Sequence, residues 1–133
     1  MCIRDRITAA DMIGRKDGDA PPLITVSRDT SVRDALRLIT EYDISQLPVC
    51  EDEKCVGSVP ESLLMARIIE DPRTLELPVA AIMEAPFPEV DAGLPMAGIG
   101  RLLTRQCPAV LVRQGGAFTG IITRYDMVRY LAP

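Results

Sequence analysis

Apolar positions along this chain switch between helical and strand spacing in one order and then repeat that order about sixty residues later. Val32, Ala35, Leu36 and Ile39 fall at i, i+3, i+4 and i+7, which predicts a helix with one apolar face running to about Tyr42. The β-branched run Leu23, Ile24, Thr25, Val26 predicts a short strand ahead of it. Residues 47–50 and 55–59 then read as an apolar hairpin, and Leu64, Met65, Ile68 and Ile69 return to helical spacing until Asp71-Pro72 stops the helix. The second half opens with a strand over residues 87–90 and continues with a helix carrying Met96, Ile99, Leu102 and Leu103. A hairpin through Val110 to Val112 and Gly120 to Ile122 follows, and then a last helix.

The superposition of the halves is specific. Val26 falls on Val90, Val32 on Met96, Ala35 on Ile99, Leu38 on Leu102 and Ile39 on Leu103 at a shift of 64. A deletion around Glu41 to Ile44 is read as lowering the shift to 62, and one extra glycine in the second hairpin as returning it to 63. A strand–helix–hairpin–helix unit leaves a sheet face uncovered, which a second unit can bury. The expected organisation is an N-terminal extension with a short helix (1–20), a first repeat (21–72), a connector with a short apolar helix around 79–83 (73–85) and a second repeat (86–133).

Helix starts are marked by three capping boxes, in which a hydroxyl and a carboxylate three residues apart satisfy each other's backbone N–H groups. They are Thr8 with Asp11, Ser31 with Asp34, and Thr123 with Asp126. Ser58 with Glu61 is read as a fourth, shifted by two residues because Pro60 fills the first turn. The helix after Pro95 is the poorest, since Gly98 and Gly100 each cost about 1 kcal/mol relative to alanine. The first six residues carry no pattern and are read as a remnant outside the domain; Lys16-Asp17-Gly18-Asp19 and Pro21-Pro22 break the opening helix.

Composition narrows the chemistry. At 133 residues, 47% hydrophobic and 26% charged, the chain suits one ordinary globular domain. Its longest apolar runs, such as residues 79–83, fall well short of the ~20 needed to cross a bilayer, so a cytoplasmic protein without a membrane partner is expected. A net charge of −4 with scattered arginines gives no phosphate-backbone footprint, and nucleic acid is not an expected partner. With no histidine, the usual general base and the commonest zinc ligand are missing, so no metal site and no catalytic residue is assigned. Cys2, Cys50, Cys55 and Cys107 form no Cys-x-x-Cys pair and are read as reduced. Cys50 and Cys55 flank Glu51-Asp52-Glu53-Lys54 and can face each other on a hairpin, where a disulfide is geometrically conceivable; two small buried hydrophobes is the plainer reading.

The second hairpin ends in Gly120-Ile121-Ile122-Thr123-Arg124-Tyr125-Asp126, a strand running into a helix start, where backbone N–H groups and the helix dipole attract anions. Thr123 offers a hydroxyl to a phosphate-like oxygen, and Asp126, one turn on, can accept hydrogen bonds from a ribose diol. The same two residues also read as a cap that needs no ligand.

That turn after a hairpin, twice in a chain of this length, resembles a tandem CBS-domain pair, the Bateman module, from about Ile7 to Leu131. Ile44-Ser45-Gln46-Leu47-Pro48-Val49, Val56-Gly57-Ser58-Val59, Ile82-Met83-Glu84-Ala85-Pro86-Phe87-Pro88 and Gly120-Ile121-Ile122-Thr123-Arg124 more narrowly resemble the regulatory region of bacterial cystathionine β-synthase-like enzymes. The resemblance implies an α+β fold of two βαββα repeats about a pseudo-twofold axis, with clefts that take AMP, ADP, ATP or S-adenosylmethionine in relatives. Carried over by position, the second cleft is lined by Thr123, Asp126, Ile121, Arg124, Pro88, Glu89, Pro108 and Ala109, with Ser45 and Gln46 from the opposite repeat. For a polyphosphate the nearby cations are Arg124, Arg105 and Arg113. In the first repeat Pro60 stands where the hydroxyl belongs and Leu63 where the carboxylate belongs, so that cleft is expected to hold no nucleotide.

The function expected is a regulatory module, not itself an enzyme. It would sense an adenosyl ligand and control an enzyme in cis or trans, with a pyridoxal-phosphate-dependent catalytic domain before Met1 if the narrower resemblance holds. The alternative is a ligand-free dimerisation module. A homodimer is expected through the apolar helices over 63–69 and 127–131.

Overall fold

The structure is a computed structural model that describes residues 7–14 and 23–131; the first six residues and the breaks at Lys16 to Asp19 and Pro21-Pro22 lie outside the described residues. It is α+β, as expected. The elements in order are α1 (Ala9–Gly14), α2 (Val32–Tyr42), β1 (Gln46–Glu51), β2 (Lys54–Pro60), α3 (Glu61–Glu70), β3 (Glu89–Asp91), α4 (Met96–Leu102), β4 (Ala109–Gln114), β5 (Ala117–Thr123) and α5 (Arg124–Leu131), with 3-10 turns at Pro72–Glu76 and Val79–Ala81. The chain divides into two units, Ile24–Pro86 and Phe87–Pro133, the second completed by the N-terminal segment.

In the unit Ile24–Pro86, α2 begins where Ser31 Oγ accepts the Asp34 N–H (3.1 Å) and ends at Asp43, whose left-handed φ of 52° terminates the helix. Its face Val32, Ala35 and Ile39 is buried against Leu47, Val49 and Val59 of the antiparallel β1–β2 pair. The strand expected over 23–26 is reduced to one parallel bridge, with Val26 N–H bonded to the Pro48 carbonyl and Cys50 N–H to the Val26 carbonyl. The apolar stripe expected on α3 divides: Leu64 is buried and Ile68 packs beside it, while Met65 and Ile69 are exposed. Asp71 closes α3 and accepts hydrogen bonds from the Arg73 guanidinium and then from the Arg73 backbone N–H, which hold its carboxyl below the ordinary range.

The other unit has a three-stranded sheet in the order β3-β4-β5, β3 parallel and β5 antiparallel to β4. Val90, Val110, Val112 and Ile122 face a core shared with Met96 and Ile99 of α4 and with Ile7, Ala9 and Met12 of the N-terminal segment. The predicted box is made: Thr8 N–H donates to Asp11 Oδ2 (3.0 Å) and Asp11 N–H to Thr8 Oγ1 (3.4 Å).

The two cores correspond position by position, and the repeat extends further than the halves seen in the sequence. Segment 7–13 does in one unit what segment 77–83 does in the other. Met96 N–H donates to the Ile7 carbonyl as Val32 N–H does to Leu77; Ala9 N–H donates to Leu94 as Val79 does to Thr30; Ala10 N–H donates to Ala92 as Ala80 does to Arg28. Both segments run across a glycine of the second hairpin strand. A Cβ on Gly120 would lie 2.5 Å from Ile13 Cδ1, and one on Gly57 would collide with Met83 Sδ.

The hairpins also correct the alignment. Leu47 pairs with Val59 as Val110 does with Ile122, Val49 with Gly57 as Val112 with Gly120, and Cys50 with Cys55 as Arg113 with Phe118. Through the hairpins the shift is therefore 63, one less than the 64 that relates α2 to α4, with no step at 62 and no inserted glycine; an equivalent bulge interrupts each hairpin after Val49 and after Val112. The tips differ in chemistry: Gly115 and Gly116 take the left-handed turn in one, and Asp52 (φ 50°) and Glu53 (φ 64°) in the other.

Two stability predictions follow from these contacts. Glu53→Gly should raise stability by about 0.5 kcal/mol in urea unfolding, because relief of the left-handed strain exceeds the entropy glycine adds to the unfolded chain. Gly120→Ala should cost about 1 kcal/mol in the native sequence and nothing once Ile13→Ala has emptied the space, a coupling read by a double-mutant cycle.

Candidate functional site

At one end of the three-stranded sheet the starts of β3 and β4 meet the finish of β5. Leu111 N–H donates to the Pro88 carbonyl (2.9 Å), Ala109 pairs with Thr123, and Arg124 N–H donates to the Pro108 carbonyl (3.0 Å). These backbone bonds gather Pro88, Pro108, Ala109, Thr123 and Arg124 where α5 begins. The capping box closes it: Thr123 N–H donates to Asp126 Oδ2 (2.9 Å) and Asp126 N–H to Thr123 Oγ1 (3.1 Å). Ala109 is buried; Pro88, Pro108, Ile121, Thr123 and Asp126 are half-buried; Arg124 is exposed.

Glu89 belongs to a different cluster. Its Oε1 accepts Arg113 Nε–H at 2.9 Å, while Arg113 Nη1 donates to the Gly116 carbonyl and the guanidinium lies 4.0 Å over the Phe118 ring. That engagement commits Arg113 to the hairpin, which leaves Arg124 and Arg105 as exposed cations of the three weighed for a polyphosphate. Ser45 and Gln46 belong to the other unit, where the Ser45 carbonyl accepts the Glu61 N–H (2.9 Å) and Gln46 opens β1 opposite Pro60.

The first repeat has the same backbone junction without the polar pair. Pro60 stands at the start of α3 with no side-chain cap bond, and Leu63 occupies the place of Asp126. The cap expected from Ser58 and Glu61 is not formed. Ser58 is buried in mid-strand, where its Oγ donates to the Ala85 carbonyl (2.7 Å) and its backbone exchanges hydrogen bonds with Glu84. Strand alternation explains this, since β2 runs to Pro60 and carries Ser58 to the edge that Glu84 covers.

Among the described residues no cluster of three or more Cys, Asp and Glu side chains is arranged to hold a metal ion. Among them, too, no helix is long and apolar enough to cross a membrane.

The CBS domain family model matches residues 19–70. The chain is similar to that family over these residues. Its fold is that of CBS-domain proteins along nearly its whole length: a protein with CBS domains from Burkholderia ambifaria superposes with a TM-score of 0.82 at 24% identity, covering 95% of this chain and 94% of that one. A CBS-domain-containing protein from Agrobacterium tumefaciens gives 0.78 at 20% identity, covering 93% and 98%. Among curated proteins, the A-adding tRNA nucleotidyltransferase of Geobacter sulfurreducens is 28% identical over 130 residues, which is 93% of this chain and 13% of that protein. An uncharacterised protein of Methanocaldococcus jannaschii is 26% identical over 125 residues, 83% of this chain and 30% of that one. The chain thus spans less than a third of the length of either curated relative.

Loss of the cap hydroxyl has a measurable cost. Thr123→Ala should destabilise the domain by about 1 kcal/mol in chemical denaturation, whereas Ser62→Ala, one residue from the equivalent but uncapped junction of α3, should be near neutral.

Proposed function

We propose that the chain is a tandem pair of CBS repeats whose second repeat binds an adenosyl compound (AMP, ADP, ATP or S-adenosylmethionine) at the β5–α5 junction and so controls an attached or partner enzyme. The observation that carries this reading is the reciprocal Thr123–Asp126 pair at a sheet end where Pro88, Pro108 and Ala109 also converge. Thr123 Oγ1 accepts one hydrogen bond in the cap and keeps its proton for a ligand oxygen. The first-turn N–H groups of α5 favour negative charge there, the Asp126 carboxylate suits a diol, and Ile121 offers a half-buried apolar wall to a base. Ser45 and Gln46 join the set by resemblance, and Glu89 joins it only by exchanging its Arg113 partner.

CBS-domain proteins generally serve as regulatory ligand-binding modules, and occupancy acts by favouring one arrangement of the larger protein over another. The Geobacter sulfurreducens relative is a long enzyme that the present chain matches over 13% of its length, which supports control of an enzyme in the same polypeptide. Resemblance of the Ile44 to Val49 and Ile82 to Pro88 phrases points instead to a pyridoxal-phosphate-dependent cystathionine β-synthase-like enzyme as the one controlled.

A second reading, a ligand-free dimerisation module, draws on Ile69 (78% exposed), Tyr125 (68%) and Val128 (62%), apolar side chains left on the outer surfaces of α3 and α5. A homodimer is compatible with both readings.

Calorimetric titration of the full chain with AMP, ATP and S-adenosylmethionine should show one adenosyl ligand per chain and a rise in Tm. A ligand at a hundred times its Kd adds about 2.7 kcal/mol. Asp126→Ala should abolish that response while Leu63→Ala preserves it. Two equivalent sites would contradict the assignment of Pro60 and Leu63 as a non-binding junction. No Tm shift with any of the three at millimolar concentration, together with a concentration-dependent dimer in sedimentation, would favour the second reading.

A further inference from the structure

We propose that Cys50 and Cys55 form a redox-active dithiol at the tip of the β1–β2 hairpin, which closes to a disulfide by exchange with a low-molecular-weight disulfide such as glutathione disulfide. The two residues are directly paired across the antiparallel strands. Cys50 N–H points outward to the Val26 carbonyl (2.8 Å), so the pair is of the non-hydrogen-bonded kind, the one that brings opposed side chains closer. Such pairs have Cα atoms roughly 4.5 Å apart, within the roughly 4.4–6.8 Å that a disulfide spans.

The sister hairpin supplies an independent observation. The same pair position there holds Arg113 and Phe118, whose side chains are in contact at 4.0 Å, so residues placed at this register do reach each other. Both cysteines are thiols in the structure, Cys55 buried with its Sγ–H directed at the Gly57 carbonyl (3.3 Å) and Cys50 half-buried. The turn between them is already closed by left-handed Asp52 and Glu53, so the bond would join groups that the fold holds together. Ring closure keeps the strand register and asks the Cys55 thiol to turn from the Gly57 carbonyl toward Cys50.

The difference in exposure sets the order of steps. The Cys50 thiolate attacks one sulfur of the small disulfide, whose S–S bond breaks and releases one thiol carrying the proton Cys50 has lost. The Cys55 thiolate then attacks the Cys50 sulfur of the mixed disulfide, and the second small thiol leaves with the Cys55 proton. Two protein thiols are oxidised and one small disulfide is reduced to two thiols.

The full chain, equilibrated in glutathione buffers, quenched with an alkylating agent and digested with trypsin without reduction, tests this directly. Trypsin cuts after Lys54, inside the loop, so the disulfide is expected to hold peptides 38–54 and 55–67 together. Their linked fraction should depend on the square of the glutathione concentration divided by that of its disulfide, should reverse with a dithiol reductant, and should persist in a Cys2→Ser, Cys107→Ser variant. Oxidation that stops at a Cys50–glutathione adduct, which depends on the first power of the thiol, would overturn the proposal. So would linkage of either cysteine to Cys2, Cys107 or a second chain. Far-UV circular dichroism unchanged between the two forms is expected, and loss of strand signal on oxidation would count equally against it.

Discussion

Each unit depends on a short segment laid flat across the second strand of its hairpin, and only glycine beneath allows the approach. A two- or three-stranded sheet with one helix on each end of its face is too small to close a core by itself. Segments 7–13 and 77–83 supply the missing apolar groups, Ile7, Ala9 and Met12 in one unit and Val79 and Ile82 in the other, and bring backbone hydrogen bonds with them. At Gly120 and Gly57 a side chain on the strand would take the space of Ile13 or Met83. Glycine in a strand ordinarily weakens it, and here that weakness is offset by packing that no other residue permits.

This constraint also explains the grouping of the chain. The N-terminal segment precedes the first unit in sequence and yet completes the second, while the segment after α3 completes the first. Each repeat is therefore preceded in the chain by the segment that covers the other one. An upstream domain, where one exists, would be joined through residues that form part of the core of the unit carrying Thr123 and Asp126.

Much of this was legible in the sequence, for identifiable reasons. The 3.6-residue period of Val32, Ala35 and Ile39 and the hydroxyl–carboxylate pairs Thr8–Asp11 and Thr123–Asp126 depend only on neighbours within a turn, and local signals of that kind survive into the fold. The correspondence of 7–13 with 77–83 stayed hidden because one segment is α-helical and the other a 3-10 turn. What they share is an accepting carbonyl at Ile7 and Leu77, donating N–H groups at Ala9 and Val79 and at Ala10 and Ala80, and apolar character at Met12 and Ile82, with residue identity among these only at Ala10 and Ala80. The spacing of Ser58 to Glu61 fits a cap, whereas the hairpin register keeps Ser58 inside β2. The deletion around Glu41 to Ile44 removes one residue where two were expected, and no glycine is added at the hairpin tip, where Asp52 and Glu53 adopt the conformation that Gly115 and Gly116 adopt in the other unit. The convergence of Pro88 with Thr123 was reached only through resemblance, since bonds across a sheet leave no local trace in sequence.

The two strand-to-helix junctions show why a hydroxyl–carboxylate pair can exist in one repeat and be absent from the other without harm to the fold. The junction is held by backbone alone, Ser45 carbonyl to Glu61 N–H in one unit and Pro108 carbonyl to Arg124 N–H in the other, and those bonds do not depend on the side chains that follow. Pro60 supplies extended backbone at the start of its helix (φ −68°, ψ 149°) without a hydroxyl, since its ring favours that φ. The stability that Thr123 and Asp126 add as a cap is therefore dispensable at the level of architecture. A fold that has fixed its junctions by main-chain bonds leaves positions 60, 63, 123 and 126 open to differ, and the polar pair in one repeat beside an apolar one in the other gives a chain of duplicated shape a single candidate site.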